Sequence, residues 1–95
     1  MITYQDILEK SVEHFREDTK TTRLETPELT ISIVGGPGLY GDFKETFEVA
    51  IIDKVSKEFT SNKLYPELCE NGGKGDVMPY LSKEQMLKVV NDLIK

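Results

Sequence analysis

The stretch from residue 29 to residue 52 constrains the fold most, because two segments of alternating apolar residues flank a glycine-rich turn. Such a period of two is typical of strands that bury one face. Residues 35–42, between the segments, contain the densest turn chemistry in the chain. We therefore predict an antiparallel hairpin with strands over 29–34 and 45–52. The alternating apolar residues are Leu29, Ile31 and Ile33 in the first strand and Phe47, Val49 and Ile51 in the second.

The two ends of the chain carry helix signals. Apolar residues at helical spacing, with Thr3 as N-cap and Asp6 in the capping-box position, predict an amphipathic helix over 4–17. Ser82, with Gln85 at the reciprocal position, predicts a second helix that continues towards residue 95. Each helix has an apolar stripe that must pack against other elements.

The remaining segments predict short extended pieces and one loop. β-branched residues over 19–25 favour an edge strand, and a third meander strand is expected at 58–61. Proline and glycine over 62–76 predict a loop, followed by an extended piece over 76–81. The predicted fold is α+β: a small antiparallel sheet of three to four strands, covered by an N-terminal and a C-terminal helix.

Composition limits the classes of function. A chain of 95 residues is expected to form one domain over 1–95, and its net charge of −5, from 12 basic and 17 acidic residues, argues against duplex nucleic acid as a ligand. No apolar run approaches the roughly 18 residues of a membrane span, and the N-terminus lacks a secretory pattern. The single cysteine forms no internal disulfide. We expect a cytoplasmic protein.

Residues 36–41 match G-x-G-x-x-G, a pattern that has several interpretations. A dinucleotide fold requires a helix after the motif, whereas here a strand follows. The segment also resembles the glycine-rich loop of protein kinases, but Ile52 occupies the lysine position and no H-R-D or D-F-G segment is present, so a kinase is excluded. Two interpretations remain: a hairpin loop whose glycines adopt positive φ, or a loop whose amides bind an anion such as a nucleotide phosphate.

Aromatic side chains near the loops suggest binding. Tyrosine at a loop tip offers large, rigid contact area with a polar end. Tyr40 and Phe43 lie at the glycine-rich loop, and Tyr65 and Tyr80 flank residues 62–76. Packing against the sheet is the alternative for all four. The predicted binding residues are Gly36, Gly38, Tyr40, Gly41, Phe43 and Tyr65.

The sequence contains no complete catalytic or metal-binding pattern. His14 is the only histidine, and no C-x-x-C or H-x-x-x-H spacing accompanies it or Cys69. We therefore expect no catalytic residue, no metal site and no cofactor.

Residues 32–43, continuing through 47–53, resemble small uncharacterised proteins of T4-like cyanophages. The resemblance implies a phage protein acting in the cytoplasm of a bacterial host. We therefore expect a non-enzymatic interaction protein that binds a protein partner or itself, with homo-oligomers formed through sheet edges or apolar faces. The alternative is a small-ligand module that binds a phosphate or nucleotide through residues 35–42.

Overall fold

The computed structural model describes residues 1–14 and 18–94. Five strands form one antiparallel sheet in chain order, so each strand pairs with its sequence neighbours. The strands are β1 (Val12–Glu13), β2 (Lys20–Glu25), β3 (Leu29–Gly35), β4 (Thr46–Asp53) and β5 (Met78–Ser82). The helices are α1 (Tyr4–Glu9), α2 (Ser61–Leu64), α3 (Glu70–Gly73) and α4 (Lys83–Leu93), with a 3-10 turn at Pro66–Leu68.

The predicted α+β fold and its central hairpin are confirmed, although the sheet has five strands where three to four were expected. β3 and β4 pair in register across the glycine-rich turn. Residues directly opposite one another share a sheet face, so the register defines rows across the strands. Two such rows, Leu24–Ile31–Ile51 and Thr22–Ile33–Val49, are buried and form the floor of the core.

Both α1 and α4 pack on this buried face. Ile7 of α1 and Met86, Val89 and Val90 of α4 are buried in the same cluster as the sheet residues. Each fully buried aliphatic side chain of this kind stabilises the fold by roughly 1.5–3 kcal/mol. Both predicted capping boxes are present, and they start the helices where expected.

The N-terminal helix is shorter than predicted. It ends at Glu9, where the Ser11 hydroxyl donates to the Leu8 carbonyl at 2.7 Å and competes with further helical bonding. Val12, which fitted the helical spacing, pairs instead with Thr21 in β1. The rest of the predicted helix, residues 15–17, lies outside the described residues. β2 is therefore an internal strand, and the edge prediction for 19–25 was wrong.

The predicted strand at 58–61 is reduced to one bridge, between Phe59 and Ile52. The Ser61 hydroxyl accepts the Ile51 N–H at 2.8 Å, so a side chain replaces the next backbone partner and pairing stops. α2 begins at that same serine. The predicted loop 62–76 contains the 3-10 turn, α3 and all of α2 except its first residue. Within the described chain, no helix has the length and apolar character needed to cross a membrane.

Candidate functional site

Residues 35–42, called the glycine loop here, require their glycines for backbone reasons. Gly36 has φ 137° and Gly38 has φ 84°, values that favour glycine. A Cβ at Gly36 would lie 2.8 Å from the Asp18 carbonyl, and one at Gly41 would lie 2.8 Å from the Thr46 carbonyl. The hairpin geometry therefore accounts for the motif without a ligand.

The amides in and after the glycine loop are largely used inside the chain. Gly36 N–H donates to the Gly41 carbonyl at 2.8 Å, and Leu39 N–H donates to the Gly36 carbonyl at 3.0 Å. Tyr40 N–H donates to the Glu48 carboxylate at 3.2 Å. A nest that captures an external anion needs several such amides turned outwards together. Here they form the turn or hold a carboxylate of the chain.

At the end of this loop, the backbone amides bind the carboxylate of Asp42. Its Oδ1 accepts the N–H groups of Thr46, Lys44 and Glu45 at 3.0, 2.8 and 2.9 Å. These bonds, that from Thr46 most strongly, hold the pKa of the Asp42 carboxyl well below its usual range. A phosphate approaching this turn would meet a fixed negative charge.

A groove of about 580 Å³ lies beside the glycine loop. Its walls carry two carboxylates, of Asp18 and Asp42, and one ammonium group, of Lys44. Tyr80 forms an aromatic part of the wall. The groove therefore offers mixed charge rather than the positive field that favours a phosphate.

The six predicted binding residues do not form one site. Gly36, Gly38, Tyr40 and Gly41 share the glycine loop, and Tyr40 is exposed as expected. Tyr65 lies elsewhere, in a groove between the 3-10 turn and α4, with its hydroxyl 3.5 Å from the Asp92 carboxylate.

Phe43 corrects the prediction of an exposed aromatic, because only 3% of it is exposed. Its ring packs edge-on against Phe47 at 5.5 Å, and its carbonyl accepts the Tyr4 hydroxyl at 3.0 Å. The backbone turns at Phe43 with φ 65°, which directs the side chain inwards. Phe43 belongs to the core.

Tyr80 joins Tyr40 in an exposed aromatic pair. The ring centroids lie 5.7 Å apart, and Tyr80 N–H donates to the Tyr40 carbonyl at 2.9 Å. β5 carries one extra residue here: Phe47 and Val49 of β4 face Leu81 and Met78, which are three positions apart. This bulge, with φ 54° at Tyr80, brings the two rings together. The sequence places the tyrosines 40 positions apart and gives no signal of the bulge.

The second candidate site is the sheet face opposite α1 and α4, called the open face here. Three rows form it, and its centre is a shallow cavity of about 220 Å³ whose walls also include Leu39, Phe59 and Val77. The rows, from the glycine loop outwards, are Thr21–Val34–Glu48, Arg23–Ser32–Ala50 and Glu25–Thr30–Ile52.

Exposed apolar side chains gather around the open face. Of the seven large hydrophobic side chains that are exposed within the described residues, four border it. Val12 continues the first row through β1, Phe59 pairs with Ile52, and the Tyr40–Tyr80 pair stands beside Glu48. A cluster of exposed apolar side chains on one face is typical of an interaction surface.

His14 and Cys69, the two residues considered for catalysis, lie in different environments. His14 is exposed and follows β1, and Cys69 is buried, which raises the pKa of its thiol. Among residues 1–14 and 18–94, no group of three or more His, Cys, Asp or Glu side chains has an arrangement that holds a metal ion.

No protein-family model matches the sequence, and no curated protein or solved structure is significantly similar to it.

Proposed function

We propose that this chain is a non-enzymatic interaction protein whose open face binds another polypeptide chain. The observation that carries the proposal is the gathering of Val12, Phe59, Tyr40 and Tyr80 around that face. An antiparallel sheet face in water normally presents polar side chains. Here Val34 and Ala50, at the centre of the face, are already buried at 8% exposure each, so a partner would contact the exposed apolar side chains that surround them.

The setting we propose is the cytoplasm of a bacterial host, on the resemblance to cyanophage proteins. The glycine loop contributes to the edge of the interface, since Leu39 lines the central cavity and the Tyr40 N–H donates to Glu48 on the cavity wall. Tyrosines of this kind are frequent anchors of protein contacts.

The groove of about 580 Å³ beside the glycine loop favours a second candidate, a phosphate or nucleotide ligand. Lys44 and Tyr80 suit such a ligand, but Asp42 and the internal use of the loop amides oppose it. Native mass spectrometry separates the two candidates, because a retained mass of nucleotide size would favour the ligand and contradict our choice.

Site-directed photo-crosslinking tests the open face. A photoreactive residue at Ser32, in the centre of the face, is compared with one at Glu84, an exposed residue of α4 on the other side of the sheet. Both variants are irradiated in the cells that naturally produce the chain. We expect a discrete adduct from position 32 only, and its loss when Phe59→Ser is added.

Equal adducts from both positions, or an adduct from position 32 that Phe59→Ser leaves unchanged, would contradict the proposal. Thermal unfolding of each variant provides the control for folding, since Phe59 is 44% exposed and its removal should leave the core intact.

A further inference from the structure

Two side chains of opposite charge lie on the open face, one on each side of β3. Arg23 lies on β2 in the row of Ser32, and Glu48 lies on β4 in the row of Val34. They therefore stand on opposite sides of β3, one row apart. Both side chains line the central cavity.

Neither charged group has an ion-pair partner within the described chain. Arg23 makes no ion pair or hydrogen bond there, and Glu48 uses one carboxylate oxygen for Tyr40 N–H. The nearby Glu25 carboxylate attracts Arg23 electrostatically, but its direct partners are the Lys54 ammonium at 3.0 Å and the Thr30 hydroxyl at 2.8 Å. Arg23 and the second oxygen of Glu48 are thus available to an external partner.

Two opposite charges on one face can each meet the other on a second copy through a two-fold rotation. An axis that lies in the plane of the face and crosses β3 between Ser32 and Val34 exchanges the positions of Arg23 and Glu48. Interfaces of two-fold dimers use the same patch twice, so a contact from one residue to another is repeated in reverse. The rotation places each arginine over the glutamate of the other copy.

The packing distances allow this dimer. Face-to-face sheets lie roughly 10 Å apart, which extended arginine and glutamate side chains together can span. The axis passes over the floor of the central cavity, between Ser32 and Val34 with Ala50 beside them, and Arg23 and Glu48 on the cavity wall would reach across it to the second copy. The strands of the two copies would cross steeply, near the orthogonal class of sheet packing.

The sheet edges are poorer sites for self-association. β1 has two residues, and β5 carries a bulge and has Pro79 as its second residue. Tyr80 N–H, which an added strand would need, donates to the Tyr40 carbonyl.

We propose that the open face binds a second copy of this chain, in a two-fold dimer in which Arg23 of each copy pairs with Glu48 of the other. This inference rests on the proposed function, because it names the partner of that same face.

Charge-swap variants test the pairing in sedimentation equilibrium over a concentration series. We expect the wild type to dimerise, and Arg23→Glu and Glu48→Arg each to weaken dimerisation at least tenfold, because each places like charges together twice. An equimolar mixture of the two variants should regain the wild-type affinity, because the mixed dimer has two opposite-charge pairs. Recovery in the mixture also shows that both variants are folded. Glu84→Arg, on α4, changes the net charge as Glu48→Arg does and is the matched control; it should not weaken dimerisation.

Two results would overturn the inference: a monomer at every concentration, or a dimer that is indifferent to both swaps. The photo-crosslink at position 32 then shows whether only the dimer is wrong or whether the open face is not an interface at all. An adduct with a different protein would leave the open face as an interface and remove the second copy as its occupant. The lack of any specific adduct would remove both.

Discussion

Asp42 places a negative charge at the end of the glycine loop and holds it there with hydrogen bonds. Its carboxylate accepts three backbone N–H groups, which lower its pKa in the folded chain. A group with a depressed folded pKa contributes stability above its unfolded pKa, about 3.9 for aspartate, and loses it as the pH falls towards the folded pKa. The charged turn should therefore stabilise the hairpin at neutral pH and weaken progressively below about pH 4.

We expect Asp42→Asn to lower the urea midpoint of unfolding at pH 7, because the amide keeps an acceptor oxygen but loses the charge. The difference from the wild type should narrow as the pH is reduced from 4 to about 2.5. Asp76→Asn, at an exposed aspartate with no hydrogen bond in the described chain, is the matched control and should not alter the midpoint at pH 7. A difference for Asp42→Asn that stays constant down to pH 2.5 would contradict this account.

Individual side chains near the loop show where prediction from sequence fails. Phe43 and Tyr80 both adopt positive φ, which is rare for bulky residues, so no pattern of apolar residues reveals which way they point. The sequence presented Phe43 as an exposed aromatic, and the fold buries it. The exposed partner of Tyr40 is instead Tyr80, which a bulge in β5 brings beside it. The strict alternation expected of a strand does not predict such a bulge. The glycines were easier to interpret, because a hairpin turn requires them.

The Asn91 side chain joins the N-terminal segment to α4. Asn91 Oδ1 accepts Ile2 N–H at 2.7 Å, and its Nδ2 donates to the carbonyls of Ile2 and Leu87, each at 2.9 Å. α1 has only six residues, too few to be stable alone, so its position depends on such contacts and on Ile7.

We expect Asn91→Ala to destabilise the chain by about 2 kcal/mol, since three hydrogen bonds are lost at roughly 0.5–1.5 kcal/mol each and some are replaced by water. Hydrogen exchange of the amides in residues 4–9 should accelerate more than that of β3 and β4, because the N-terminal segment would open locally. Asn62→Ala is the matched control, since Asn62 donates one bond, to the Lys74 carbonyl. Equal acceleration in α1 and in the central strands would show that Asn91 does not hold this segment in place.

Helices and strands that are determined by neighbouring residues were predicted correctly from the sequence. Those that depend on residues distant in the sequence were not. Both helix starts followed from capping boxes, and the hairpin followed from alternation around glycines. Val12 fitted a helix by spacing, but its pairing with Thr21 decided its structure. Likewise, the Ser61 hydroxyl ended the strand expected at 58–61 by capturing a backbone N–H ten residues away. Such tertiary contacts leave no local pattern.

For the whole molecule, net charge and local charge act in opposite directions on self-association. Each chain carries −5, so two copies repel one another at long range. The proposed Arg23–Glu48 pairs attract at short range. Salt screens both effects, with a Debye length that falls from about 10 Å at 0.1 M to about 3 Å at 1 M. The salt dependence of the wild type alone therefore does not isolate the pairs.

The double variant Arg23→Gln with Glu48→Gln isolates them, because it removes one positive and one negative charge and keeps the net charge at −5. Its dimer should strengthen as salt rises, since only the general repulsion is screened. In the wild type, screening of the pairs offsets that gain. We expect the ratio of the two dissociation constants, variant over wild type, to be largest at 0.1 M salt and to fall several-fold by 1 M. Sedimentation equilibrium measures both constants, and a ratio that does not change with salt would mean that Arg23 and Glu48 do not meet across the interface.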